Sequence, residues 1–571
     1  MNKNWTIKIP GDIEKTRHLM EALGVDYPVA NLLVQRNIST FEDAKKFFRP
    51  DLADLHDPFL MKDMAKAIER IERAIAKNEK ILIYGDYDVD GTTSVALVFT
   101  FFEKIHRQIG FYIPDRYGEG YGISYKGIDY AESNGYSLII ALDCGIKAIE
   151  KIEYAKKKHI DFVICDHHTS DATIPDAVAV LDPKRHDCTY PFKELSGCGV
   201  GFKLIQAYCL KNNISEETIY PYLDLVVVSI ASDIVPIVGE NRILAHFGLK
   251  HLNANPRSGL KAIINTSGLD GKGITIDDIV FKIGPRINAA GRINTGKSSV
   301  DLLISCDASL AADMSGVIND FNNTRRSIDS TITQQALKMI STSKELQNKK
   351  STILFNPEWH KGVVGIVASR LTESYYKPTI VLTESNGFIT GSARSVAGYD
   401  LYKAIESCSG LLENFGGHMF AAGLTLKKEN FKAFTQMFEE TVCDTILNEQ
   451  MIPNIEIDME LSLKDITPKF YRIIKQFEPF GPENMSPVFM SENVVDDGTG
   501  KEVGTTKEHL KLSLLQEDEP FKPYPAIGFN MAQKFKHIGK GKPFDICYCI
   551  DENEYRGNTT LQLRIKDLKV D

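Results

Sequence analysis

Residues Lys80–Gly91 read KILIYGDYDVDG: an apolar, β-branched run that ends on three acidic side chains at alternate positions. The apolar part predicts a buried strand, and Thr92–Ile105, apolar after Gly91, predicts the helix that follows it. Asp86, Asp88 and Asp90, two apart in extended chain, would project to one side, where their mutual repulsion calls for a cation. A calcium loop of the EF-hand type is disfavoured, because that pattern needs a Glu at its twelfth position and a helix before it, whereas here a strand precedes.

Moving outward, Gly110–Pro114 (GFYIP), Ser137–Cys144 (SLIIALDC), Asp161–Cys165 (DFVIC) and Ala177–Leu181 (AVAVL) recur at α/β spacing. Near-continuous apolar runs of this length suit a parallel sheet covered on both faces. Loops at the carboxyl ends of such strands share one edge. Asp143 in LDCG and the pair His167–His168 in CDHHT therefore fall beside the acidic triplet, although either motif alone would be unremarkable. Asp233 in SIASDIVP adds a carboxylate in an apolar setting, where pairing with a metal relieves the cost of its charge. Cys144 and Cys165 read as small buried fillers of strand ends, so no covalent nucleophile is expected.

The second half repeats the α/β texture. Asp301–Lys349 has helical periodicity and no Pro, predicting one or two long connecting helices. From Ser351 come STILFN, a helix over Val363–Tyr376, PTIVLT, GFITGSAR, another helix, FAAGLTL and a last helix to about Asn448. Gly391-Ser392-Ala393-Arg394 and Gly416-Gly417-His418 read as a phosphate pocket: glycine backbones approach closely, arginine offers a bidentate fork and serine a hydroxyl. After Pro453, short alternating strands with turn residues predict a small β-barrel.

Length and composition agree. A chain of 571 residues exceeds one hydrophobic core, and 43% hydrophobic with 25% charged residues is globular rather than disordered. Ten dispersed cysteines without a CxxC pair argue against a disulfide framework or thiolate zinc site. MNKNWTIKIP has no apolar signal core and no long uncharged apolar stretch follows, so a cytoplasmic protein without membrane spans is expected. The net charge of −9 argues against broad adhesion to nucleic acid, though not against a local basic groove.

GDYDVDG, LDCG, DHH and ASDIVP, in this order and at these intervals, resemble the four motifs of the DHH phosphoesterase superfamily. PDR with GEGYG (114–122), GPRINAAGR (284–292), GSAR (391–394) and GGHMFAAG (416–423) extend the resemblance over nearly the whole chain to its RecJ family of single-strand exonucleases. The resemblance implies a multidomain α/β protein. Its parts would be an N-terminal extension (1–60), a parallel-sheet DHH domain (61–300), a connecting helix (301–350), a smaller α/β DHHA1 domain (351–452) and an OB-fold barrel (453–571).

It further implies that Asp88, Asp90, Asp143, His167 and Asp233 hold two divalent ions, manganese foremost and magnesium as the alternative. His168 would lie at the reacting phosphate or complete a metal shell, and Asp166 would orient the imidazoles. The small members of the superfamily carry a His where this chain has Tyr84, a loss for which Asp86 can compensate. Ser392 and Arg394 would hold a terminal 5′-phosphate, His418 would face the scissile group, and Arg116, Arg286 and Arg292 would line the opposite wall.

The expected activity is 5′-to-3′ hydrolysis of single-stranded DNA in recombination and repair, by a monomer assisted by a helicase and a single-strand-binding protein. The barrel's Phe477, Phe480, Phe521, Tyr524, Phe529 and Phe535 interleave with Lys507, Lys511, Lys534, Lys536, Lys540 and Lys542, as a stacking surface requires. Most aromatics of a small barrel are core, however, and the acidic run Glu517–Glu519 keeps this domain only locally basic. Two other readings compete with this one. A phosphoesterase of cyclic dinucleotides or very short oligonucleotides would end before the barrel, and a non-catalytic replication scaffold would have lost its acidic and histidine positions.

Overall fold

The computed structural model describes residues 3–516, 519–538, 541–555 and 557–570. The chain forms two compact units: residues 56–235 with 247–453, and residues 1–55 with 236–246 and 454–571.

The larger unit holds two sheets. The first contains β1 (Lys80–Gly85), β2 (Ile109–Tyr112), β3 (Tyr136–Leu142), β4 (Asp161–Cys165) and β5 (Ala179–Leu181), all parallel, in the order β2-β1-β3-β4-β5. The chain leaves β1 to one side and returns on the other, so the carboxyl ends of β1 and β3 flank a topological switch point, where open α/β sheets bind ligands. Helix α1 (Val89–Glu103) is apolar almost all round and buried nearly throughout. It packs on the sheet and against α2 (Gly197–Lys211) and α3 (Leu223–Ser232), which are buried to the same degree.

The second sheet contains β6 (Thr352–Phe355), β7 (Thr379–Ser385), β8 (Phe388–Arg394), β9 (Asn414–His418) and β10 (Ala421–Leu426), in the order β9-β10-β8-β7-β6. Only the β6–β7 pair is parallel. The strand β9 was not expected: Gly416 and Gly417 are ladder residues paired with Gly423 and Ala422, and they neither end a helix nor form a loop. Gly417, at φ +148°, lies so close to β10 that a Cβ would stand 2.2 Å from the Ala421 carbonyl oxygen. The 35-residue helix Ala308–Thr342 precedes this sheet, N-capped by Asp307, whose side chain accepts from the Leu310 N–H at 2.8 Å.

In the smaller unit, five strands pair in the spatial order 489–496, 544–555, 558–569, 519–528 and 509–516, and Val494–Asp496 against Leu514–Gln516 returns the ladder on itself. Residues Asn4–Ile7 form a parallel pair with Asn454–Ile457. Leu19, Leu32, Leu33 and Phe47 share one apolar core with Phe477, Phe489 and Tyr548 of the barrel region. The first residues are therefore an integral part of this unit. Arg242, only 5% exposed, lies 3.8 Å from the centroid of Phe47 and donates to the carbonyls of Phe47, Gln476, Phe477, Glu478 and Pro479. Burial, then Arg36, lowers its pKa to about 9.

Of the aromatics expected to stack on bases, Phe477 is fully buried and Phe480, Tyr524 and Phe535 pack against this core, whereas Phe529 is 52% exposed. Closing a small barrel consumes its large side chains. Lys534 is paired with Asp567. Glu517, Asp518 and Lys540 lie outside the described residues, as do the side chains of Glu519 and Phe521. Among the described residues no helix is long and apolar enough to cross a membrane.

Candidate functional site

The acidic triplet is not extended chain. Asp86 follows β1, Asp88 is the N-cap of α1 and accepts from the Gly91 N–H at 3.0 Å, and Asp90 lies in the helix's first turn. A strand-to-helix turn, not strand alternation, gathers the carboxylates. Gly91 permits it, because a Cβ there would stand 2.4 Å from the Asp86 carbonyl oxygen.

Asp143 directly follows β3, with φ 59°, and Ile234, beside Asp233 at the end of α3, has φ 59° as well. Left-handed backbone at a β-branched residue is strained, and strain of this kind collects at functional sites. His167, after β4, lies among the acids: its Nε2 is 3.2 Å from Asp143, 3.5 Å from Asp233 and 3.6 Å from Asp90. Two groups of three ligand atoms within 4.8 Å of one another result, Asp143–His167–His168 and Asp90–His167–Asp233.

Hydrogen bonds separate these acids by task. Asp90 accepts from the N–H groups of Gly197 and Cys198 at the start of α2, both at 2.7 Å, and from the Ser229 hydroxyl at 2.7 Å. The α2 N-terminus and Asp90 thus hold each other. Asp166 accepts from the amides of Ile146, His167 and His168 and from His168 Nδ1 at 2.7 Å. His168 Nε2 stands 3.1 Å from the Tyr121 hydroxyl, so this ring is oriented at both nitrogens. Tyr84 is turned away: its hydroxyl donates to the Gly122 carbonyl at 3.0 Å and accepts from the Ser124 N–H at 3.1 Å.

The electrostatics are those of a cation site. Burial, followed by the neighbouring carboxylates, raises the pKa of Asp86, Asp88, Asp143 and Asp233. Burial lowers His167 to about 4, leaving it a neutral imidazole. Burial opposes charge on His168 too, but the hydrogen bond and charge of Asp166, with Asp233 and Asp88, outweigh it and raise the value to about 9. Both ring nitrogens of His167 and one oxygen of Asp86 are buried without a hydrogen-bond partner. Orphaned donors of this kind, carboxylate and neutral imidazole together, fit manganese or magnesium. Cys144 and Cys165 are buried, and burial pushes both thiols up, so neither is an activated nucleophile.

Facing this acidic pocket is a set of cations without carboxylate partners among the described residues. Arg394 donates to the Ser392 hydroxyl and the Ala393 carbonyl, both at 2.8 Å, and Arg292 donates to the Gly362 carbonyl at 3.0 Å. Arg116 lies over the Tyr87 ring at 4.7 Å. Burial, then Arg116, Arg325 and Arg394, lowers Arg292 to about 9, and burial followed by Arg116 lowers both Arg394 and Lys361. His418 is lowered by burial, then by Arg394 and His168. Arg286 bonds through its guanidinium to Asn319 and the Lys282 carbonyl, and burial followed by Arg326 lowers its pKa.

Several members of the site escaped the sequence reading. Tyr121 and Ser229 lie inside the quoted GEGYG and SIASDIVP stretches without being assigned a role there, and Arg325 and Lys361 are reached only through tertiary packing. Asp182 did carry one: it directly follows β5, as Asp143 follows β3 and Asp166 follows β4, and burial, then Asp166, raises it to about 7.

Family profiles match in three places: "DHH family, N-terminal domain" over residues 80–230, "DHHA1 domain" over 348–444 and "RecJ OB domain" over 457–567. The single-stranded-DNA-specific exonuclease RecJ of Bacillus subtilis is 37% identical over 99% of this chain and 71% of its own length. That of Dickeya dadantii is 31% identical over 94% of this chain and 95% of its own. The crystal structure of RecJ in complex with Mn²⁺ from Thermus thermophilus has the same fold, with a TM-score of 0.84 at 24% identity over all of this chain and 80% of that one. A manganese-bound structure of exonuclease RecJ, 28% identical, covers 70% of this chain and 98% of its own, with a TM-score of 0.59.

Proposed function

Because this chain belongs to the RecJ family of single-stranded-DNA-specific exonucleases, we propose that it hydrolyses phosphodiester bonds of single-stranded DNA from the 5′ end, with two divalent ions held by Asp88, Asp90, Asp143, His167 and Asp233. The observation that carries this reading is the position of His167 Nε2 within 3.6 Å of three carboxylates from three separate segments, both ring nitrogens buried and unpartnered. Manganese is the first candidate and magnesium the second, with Asp86 completing the acidic set.

When bound, such ions neutralise the charge that develops on the phosphodiester and lower the pKa of an attacking water. His167 enters as a neutral ligand because burial keeps it deprotonated. Asp166 fixes the orientation of His168 through Nδ1 and favours its charged form, which would face the reacting phosphate. Asp90 ties the acidic turn to the start of α2, so the carboxylates do not relax apart.

Arg394 with Ser392 receives the terminal 5′-phosphate. Its neighbours Arg116 and Arg292 lack carboxylate partners among the described residues, so an incoming phosphate meets unspent charge. Gly416 and Gly417 keep the backbone beside His418 accessible. A passage that admits one strand confines the substrate to unwound ends. The enzyme acts as a cytoplasmic monomer in recombination and repair, on ends opened by a helicase and covered by a single-strand-binding protein.

The test is digestion, with Mn²⁺ or Mg²⁺, of single and duplex strands labelled at either terminus. The expected result is release of the 5′ label first, from single strands only, by wild type and not by Asp143→Ala, which still binds the strand. Release from the 3′ end, or full activity of Asp143→Ala, overturns the reading.

A further inference from the structure

The turn joining β9 and β10 consists of Met419 and Phe420, since His418 pairs with Ala421. Two-residue hairpin turns favour Gly, Asn or Asp. Here two large apolar side chains occupy the turn, 36% and 51% exposed.

The tip is fixed. The Phe420 carbonyl accepts from the Ser395 N–H at 3.0 Å, the Met419 carbonyl from the Leu401 N–H at 3.1 Å, and the Phe420 N–H donates to His418 Nδ1 at 3.3 Å. Ser395 directly follows Arg394, and Arg394 pairs with Ala421. The Phe420 ring is edge-on to His418, 6.1 Å between centroids and 67° between planes. An exposed aromatic on a rigid tip, two residues beyond His418 and bonded to the residue that follows Arg394, presents a π-face beside the proposed 5′-phosphate pocket.

We propose that Phe420 is a stacking platform for the base of the 5′-terminal nucleotide, a positioning residue that holds the strand in register with the phosphate pocket. This rests on the reading of the site as one for single-stranded nucleic acid. Stacking tolerates any base, because every base has a π-face, and needs no hydrogen bond from the tip. The pocket fixes the terminal phosphate and the ring fixes the base attached to it, so the scissile bond beyond has fewer orientations to explore.

The experiment compares kcat/KM on 5′-phosphorylated strands carrying adenine or an abasic residue at the first, second or third nucleotide, for wild type, Phe420→Ala, Phe420→Leu and Phe420→Trp. In wild type an abasic first nucleotide costs about tenfold, the ordinary effect of losing one stack. Phe420→Ala and Phe420→Leu lose about the same factor on the intact strand and little more on the strand abasic at its first nucleotide, and Phe420→Trp restores the preference. Equal losses on both strands, no loss at all, or coupling to the second or third nucleotide overturns the proposal. If wild type degrades no single strand, the underlying reading fails instead; if wild type is active and Phe420 is uncoupled from the first base, only the platform fails.

Discussion

Replacing Asp166 by Asn tests whether the His168 charge is imposed by one neighbour. His168 stands at about 9 against an ordinary 6.5, and Asp166 is the strongest of the influences that raise it. That elevation corresponds to ~3.4 kcal/mol at about 1.36 kcal/mol per pH unit. The ring is 43% exposed, so solvent screens more than half of that, leaving ~1–1.5 kcal/mol attributable to the Asp166 charge. The His168 midpoint in the metal-free variant should therefore fall by about one unit. Selective ¹³C labelling of histidine and titration by NMR reads it directly.

The same variant in the presence of manganese should lose activity on the order of 10–100-fold, the range found when a hydrogen-bond partner of a metal-site group is removed. An amide at position 166 still accepts from one of the backbone N–H groups but confronts another with its own N–H. A His168 midpoint unchanged in Asp166→Asn would show that Asp233 and Asp88 suffice, and would remove Asp166 from the argument.

Two further outcomes follow from the charges. Arg394→Ala should erase the preference for 5′-phosphorylated over 5′-hydroxyl ends while leaving turnover on hydroxyl ends within a few-fold, and a retained preference, measured as the ratio of kcat/KM, contradicts the pocket assignment. Metal dependence of stability has a definite sign: in the metal-free protein Asp86, Asp88, Asp143 and Asp233 titrate above their unfolded values, so their contribution is present at low pH and lost as pH rises through the folded values. Manganese holds these groups ionised, so the rise in melting temperature on adding it should grow from about pH 5 to about pH 8, and a rise that shrinks over this range refutes the proton release.

How much of this is legible in the sequence follows from the physics of each part. Asp86, Asp143, Asp166 and His167 can be placed together from the residues alone, because a parallel sheet delivers every strand end to one edge and apolar runs mark the strands. The alternation argument for Asp86, Asp88 and Asp90 reaches the right cluster through the wrong local geometry: an N-cap acid and a glycine turn the chain into a helix where an extended segment is expected. The unit shared by the first residues and the barrel is not legible, since the pairing of Asn4–Ile7 with Asn454–Ile457 is a contact across most of the chain with no local signature. Arg325 escapes for the same reason. The barrel aromatics mislead because interleaved Phe and Lys is equally the pattern of a closed sheet with a polar outside.

The two charged clusters explain why the larger unit is built against its own stability. Burial raises four carboxyls and lowers the guanidinium pKa of Arg292 and Arg394, and these opposite charges do not pair with one another. Direct Asp–Arg ion pairs across the cleft would relieve both penalties and leave neither metal site nor phosphate pocket. Asp90 is the exception, satisfied by α2 and Ser229, and it holds the turn that carries Asp88. Left-handed Ile234 adds strain beside Asp233. Each cluster is thus incomplete without a partner of opposite charge: cations for the carboxylates, and for the arginines a polyanion, which a phosphodiester lying between those cations and the arginines would supply.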